Sequence, residues 1–136
     1  MGYLLFDIFA KMGCSRCVVP RLRMETRAGE ISKGVTVKNP ALIAAGKKVV
    51  ELLPGARGCI TVQCFLTPSK EIKFIEINPR FGGGFPLSFQ AGADFPRWII
   101  EMMLGKEPDT SIDDWQDGLA MLRYDDAIFV TKDMIT

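Results

Sequence analysis

The run Phe74-Ile75-Glu76-Ile77-Asn78-Pro79-Arg80-Phe81-Gly82-Gly83-Gly84 leaves a chain few choices of structure. Residues 75–78 alternate apolar and polar, the period-two pattern of a strand with two unlike faces. Pro79 withholds a backbone donor and ends the pairing. Residues two apart in a strand share a face. Glu76 and Asn78 therefore present oxygen donors side by side, while Ile75 and Ile77 face the other way. Hard oxygen donors suit Mg²⁺ (or Mn²⁺), which is held by one or two carboxylates plus substrate phosphates. Arg80 adds a guanidinium fork, and the three glycines add backbone that a phosphate chain can approach closely. The chemistry is that of a metal and a phosphorylated ligand at the end of a strand. A plain polar strand face followed by a glycine loop would leave much of the same pattern.

The strand before it sharpens the reading. Residues 58–66 and 71–79 form a hairpin pattern around Thr67-Pro68-Ser69-Lys70. An apolar face requires Val62 opposite Ile77 and Cys64 opposite Ile75. The same register sets Gln63 opposite Glu76. A slip of one residue would mix the two faces. Gln63, Glu76 and Asn78 thus form one cluster of oxygen donors.

Along the rest of the chain, residues 3–10 read as a strand, 13–15 as a turn and 17–24 as the partner strand. Arg21 and Arg23 flank Leu22, share one face and are expected at the surface. Residues 26–34 are polar with two glycines and read as a loop, before a short strand at 35–37. Asn39-Pro40 starts a helix as N-cap and first helical position. Leu42, Val49 and Leu53 then recur at helical spacing, with Ile43 and Val50 on the flank, until Pro54-Gly55. A short helix is expected over 86–90. Asp94 caps another, with Ile99, Ile100, Met103 and Leu104 as its buried stripe and Gly105 as its stop. Residues 108–117 read as a loop, and 118–124 with 127–130 as a last hairpin turning at Asp125-Asp126. The expected architecture is α+β: an antiparallel sheet flanked by helices over 1–108, with 109–136 as a hairpin extension packed on it.

Composition bounds the partners. Lys plus Arg total 17 and Asp plus Glu total 16, a net charge of +1. That gives no broad pull toward nucleic acid or anionic membrane. No apolar run reaches the eighteen or so residues of a membrane span, and the N-terminus lacks the basic start and cleavage site of a signal peptide. There are no histidines, which removes the commonest general base and zinc ligand. Cys14 and Cys17 have the spacing of half a zinc site, but Cys59 and Cys64 do not supply a matching half. Reduced thiols serving as small hydrophobes in a cytoplasmic protein are the expectation. A mean hydropathy of +0.15 fits either a well-buried small domain or a piece whose apolar surface is covered by a further part.

The 74–84 run resembles the C-terminal half of the ATP-grasp enzymes, in particular the large subunit of carbamoyl phosphate synthase and its shorter relatives. The likeness extends to Val19-Pro20-Arg21-Leu22-Arg23, to Arg27-Ala28-Gly29-Glu30-Ile31-Ser32-Lys33-Gly34, to Val62-Gln63 and to Ala91-Gly92-Ala93-Asp94. It implies the C-terminal subdomain of an ATP-grasp fold, with ATP and Mg²⁺ as cofactors. It also implies an ATP-dependent, carbon–nitrogen bond-forming ligase that activates a small carboxylate as an acyl phosphate. Glu76 and Asn78 match the family's metal ligands, and Gln63 matches a metal or nucleotide contact. Arg80 matches an arginine that reaches phosphate or acyl phosphate. Arg27 and Lys33 fall in a segment over the substrate, with Glu30 placed to orient one of them.

Two departures follow from the same comparison. Gly2 stands where the family has an acidic residue that meets the ribose. The first subdomain, whose lysines grip phosphate and adenine, has no counterpart here. The chain is therefore expected to be part of a larger enzyme, inactive alone. It would need a missing N-terminal ATP-grasp subdomain or a partner chain, and homo-oligomerisation stays open. The other readings are a non-catalytic nucleotide- or metal-binding module, one half of a split enzyme, and a structural protein that reuses the scaffold.

Overall fold

A computed structural model describes residues 2–109, 114–124 and 126–134. The side chain of Glu30 and the turn residue Asp125 lie outside the described residues. Six strands form one antiparallel sheet: β1 (Gly2–Lys11), β2 (Cys14–Arg27), β3 (Glu30–Thr36), β4 (Gly58–Leu66), β5 (Ile72–Asn78) and β6 (Ala120–Leu122). Their order across the sheet is β5-β4-β1-β2-β3-β6. Three helices flank it: α1 (Pro40–Glu51), α2 (Phe85–Gln90) and α3 (Phe95–Met103). The α+β architecture read from the pattern is the one observed.

The sheet buries two faces unequally. On one, α1 lays Leu42, Ile43, Val49 and Val50 over a core that includes Leu4, Phe6, Ile8, Val18 and Val62. Gly46 permits close approach, since a Cβ there would stand 2.7 Å from Val18 Cγ1. Asn39 caps α1 as expected, its Oδ1 accepting from the backbone N–H of Ala41 at 2.9 Å. Against the other face, α2 and α3 bring an aromatic cluster. Phe9 lies 5.8 Å from Phe95 and 5.5 Å from Trp98, and Phe85 lies 5.3 Å from Phe95, in ring-centroid distances. These helices cover only part of that face. Tyr3, Leu5, Arg23 and Gln63 on the remainder are only partly buried.

Several expectations are corrected. Residues 26–34 are not a loop. β2 and β3 continue through them as a hairpin whose turn is Ala28-Gly29. Both turn residues have positive φ, 48° and 83°, as a type I′ turn demands. The usual Asn-Gly or Asp-Gly signal is absent from this turn.

The buried side of α3 also differs. Phe95 and Trp98 are buried and Ile99 and Met102 partly so, whereas Ile100, Met103 and Leu104 are 59%, 80% and 67% exposed. Two apolar stripes run along this helix, and the aromatic cluster around Phe9 selects the first.

Among the described residues of the C-terminal segment, one strand, β6, pairs with β3, Val35 lying opposite Ala120. Residues 127–130 are not in a strand. Trp115, from the preceding segment, is buried in the core.

Candidate functional site

β4 and β5 meet in the expected register over the part that matters. Val62 lies opposite Ile77, Gln63 opposite Glu76 and Thr61 opposite Asn78. Beyond Gln63 a bulge shifts the pairing, so Cys64 faces Phe74 and not Ile75. β5 is an edge strand, and Ile75 and Ile77 remain about half exposed.

An open cleft of about 190 Å³ lies where the second face is uncovered. Leu5 and Gln63 form its floor, Arg23 one side, and Asn78 and Arg80 at the end of β5 another. Gly82, Gly83 and Gly84 wall it with backbone. Two arginines line it, and no carboxylate is among its lining residues. Such a cleft suits an anion. Glu76 is not among the lining residues; it is exposed and lies opposite Gln63 in register.

The polar side chains are oriented from behind. The Tyr3 hydroxyl donates to Gln63 Oε1, and the Arg23 guanidinium lies 3.5 Å from the centre of the Tyr3 ring. Tyr3 packs edge-on against Phe65 at 5.0 Å. Arg80 Nη1 donates to the carbonyl of Phe81 at 3.0 Å.

Beneath the cleft stands a group that the pattern did not reveal. Arg21, expected at the surface, is wholly buried, as is Asp7. Arg21 Nε donates to Asp7 Oδ2 at 2.7 Å and Nη2 donates to Oδ1 at 2.9 Å. The Ser88 hydroxyl of α2 donates to Oδ2 at 2.6 Å. Thr61 Oγ1 is 3.3 Å from Oδ1 and donates to the carbonyl of Arg80 at 2.9 Å. One signal was available. Asp7 is the lone charge in the run Leu4-Leu5-Phe6-Asp7-Ile8-Phe9-Ala10, and a charge in a buried strand needs a partner.

Arg27 and Lys33 are not among the residues lining the cleft. Both are exposed, and Lys33 Nζ is 2.6 Å from Glu25 Oε2. That hydrogen bond, with one from Ser32, holds the Glu25 carboxyl below its usual range. The β2–β3 hairpin instead reaches the cleft through Gly29 and Ile31.

No group of three or more His, Cys, Asp or Glu residues able to hold a metal occurs among the described residues. A cation at this site would rest on Glu76 with the amide oxygens of Gln63 and Asn78. One carboxylate plus neutral oxygens leaves positions for ligand phosphates, which fits Mg²⁺. None of the four cysteines is in a disulfide. Burial pushes Cys64 up to about 11 and Cys59 higher still, so neither is an activated nucleophile.

The fold is that of an ATP-grasp subdomain. The biotin carboxylase domain of 2-oxoglutarate carboxylase from Hydrogenobacter thermophilus, solved with MgADP, ADP and bicarbonate, superposes with a TM-score of 0.67 at 17% identity. That match covers 88% of this chain and 28% of the other. Pyruvate carboxylase from Rhizobium etli gives 0.69 at 17% identity, over 88% of this chain and 13% of that one. The biotin carboxylase domain of a single-chain bacterial carboxylase gives 0.63 at 19% identity, over 86% and 30%. The chain thus spans less than a third of the length of these proteins. No curated protein sequence matches it. The family model described as ATP-grasp in the biosynthetic pathway with Ter operon matches residues 5–127, and the chain belongs to that family. No helix among the described residues is long and apolar enough to cross a membrane.

Proposed function

We propose that this chain forms the metal-bearing wall of the nucleotide site in an ATP- and Mg²⁺-dependent ligase that activates a small carboxylate as an acyl phosphate, as in the carbamoyl phosphate synthase group. The observation that carries this reading is the cleft itself. It gathers Gln63, Asn78, Arg80 and glycine backbone, and Glu76, outside the lining, stands opposite Gln63 in register. Acyl-phosphate chemistry asks little covalent help of a protein. It needs cations on developing phosphate charge and donors held in place beforehand.

Each side chain has a part in that task. Glu76, Asn78 and Gln63 hold the cation, which neutralises phosphate charge when bound. Arg80 and the glycine amides bind phosphate or acyl-phosphate oxygens. Arg23, fixed over Tyr3, adds positive potential at the same mouth. Arg27 and Lys33, on the exposed hairpin, meet the substrate only if a further part of the enzyme brings it to them. The MgADP bound by the Hydrogenobacter carboxylase domain supports ATP and Mg²⁺ as the cofactors. Because the chain spans so little of its structural relatives, the opposite wall belongs to a further subdomain or a partner chain, and the chain alone is inactive. Four cysteines without a disulfide fit a reducing, cytoplasmic setting.

Mn²⁺ relaxation titration tests the reading. The chain should bind Mn²⁺ weakly, and Glu76→Ala should lose most of that binding. Equal binding by both proteins would remove the metal site. Calorimetry with Mg-ATP should show poor affinity for the chain alone and a clear gain once the complementary part is supplied.

A further inference from the structure

We propose that Thr61 is a positioning residue for the cleft. Its hydroxyl ties the backbone of Arg80 to β4, beside the buried Asp7–Arg21 pair, and so sets where the Arg80 guanidinium and the glycine wall meet a polyphosphate. The inference rests on the anion-binding reading of the cleft given above.

A hydroxyl carries one proton. Thr61 has two acceptors within reach, the Arg80 carbonyl at 2.9 Å and Asp7 Oδ1 at 3.3 Å. The shorter contact goes to the carbonyl, so the proton is committed to the loop. Thr61 also supports the loop by contact: a Cβ on Gly82 would lie 3.1 Å from both its Cγ2 and its Oγ1. At the far end of the loop, Gly84 packs on Arg21. Ser88, one turn into α2, donates to the Asp7 carboxylate. The whole connection from β5 to α2 is therefore pinned to one buried cluster.

Asp7 and Arg21 cancel each other's charge and are both fully buried. Their contribution to anion binding is therefore geometric. The exposed Arg80 guanidinium donates to the carbonyl of its neighbour Phe81. Its height above the cleft is set by its backbone, whose carbonyl accepts from Thr61 at 2.9 Å and, more weakly, from the Cys59 thiol at 3.8 Å.

The test uses the whole ¹⁵N-labelled chain, with inorganic tripolyphosphate as probe. The amide resonances of Arg80, Gly82, Gly83 and Gly84 are read first without ligand, then through a titration. Thr61→Val keeps the shape and removes the hydroxyl. It should displace these amides in the free protein and weaken tripolyphosphate by about fivefold, the size of one lost hydrogen bond. Thr61→Ser keeps the hydroxyl and should restore affinity to within about twofold. Wild-type amide positions in Thr61→Val would overturn the proposal. So would equal impairment of both variants, which would assign the effect to the methyl group. If Thr61→Val does not fold, Gly82→Ala presses on the same side chain from the loop. It should move the Arg80 amide, and an unmoved amide would overturn the proposal. If the wild-type chain shows no response to tripolyphosphate, the anion-binding reading fails, and the ligand-free spectra still decide whether Thr61 positions the loop.

Discussion

Gly84 lies directly against the guanidinium of Arg21, so close that a Cβ at 84 would overlap Arg21 Nη1. Arg21 is fully buried and locked to Asp7 by two hydrogen bonds, so it cannot swing aside. Glycine at 84 is thus required by a neighbour 63 positions earlier in the chain, and not by its own backbone angle, which has φ of −93°.

Gly84→Ala should therefore destabilise the domain by about 1–3 kcal/mol, the usual cost of overpacking. Urea denaturation followed by circular dichroism measures it. An unchanged midpoint with an unchanged slope would show that the guanidinium can yield.

Removing one member of the buried pair leaves a charge without its partner. Asp7→Ala and Arg21→Met should each cost about 3–5 kcal/mol. The double variant should cost clearly less than the two effects added, because neither leaves a stranded charge in it. Strict additivity in the double-mutant cycle would mean that the two residues do not act as a pair.

At the proposed metal wall, Asn78→Asp and Glu76→Gln should behave differently in the proposed ATP-dependent enzyme, reconstituted with its complementary part. A second carboxylate beside Glu76 holds a cation more tightly but repels ATP phosphates. Asn78→Asp should keep or raise Mn²⁺ affinity while turnover falls about tenfold or more, equivalent to about 1.4 kcal/mol in the barrier. Glu76→Gln should lose both. Wild-type ATP turnover in both variants would refute the assignment of these residues.

Alkaline pH should weaken the fold through Cys64 and Cys59. Burial raises both thiols above their ordinary value of 9.0. The native state then keeps protons that the unfolded chain gives up, so the contribution of Cys64 is complete below about pH 9 and declines as pH rises toward 11. Melting temperatures taken from pH 7 to 11 should stay level and then drop, and Cys64→Val should lessen the drop. A profile in Cys64→Val that coincides with wild type would show that Cys64 contributes nothing to it. Cys14, the exposed thiol, should be the first alkylated by iodoacetamide at pH 8.

Local pattern was enough wherever neighbours in sequence are neighbours in space. The cap at Asn39, the inner stripe of α1 and the pairing of Gln63 with Glu76 all follow from periodicity, because a hairpin or a helix closes its contacts within a few residues. The turn at Ala28-Gly29 lacks a local signal because one of its two positive φ angles is carried by Ala28, a residue type that seldom adopts one.

Amino-acid sequence by itself determined the antiparallel α+β framework and the oxygen donors at the end of β5. Tertiary structure alone decided which of two apolar stripes of α3 is buried, and that Arg21 lies under the cleft and not at the surface. It also decided that Arg27 and Lys33 stand away from the cleft. Side-chain alternation assigns a residue to a face of the sheet but not to what covers that face. Here α2 and α3, more than sixty positions after Arg21, cover part of the face and leave the rest open. The uncovered part is the cleft, and the covered part turns a polar strand position into a buried ion pair.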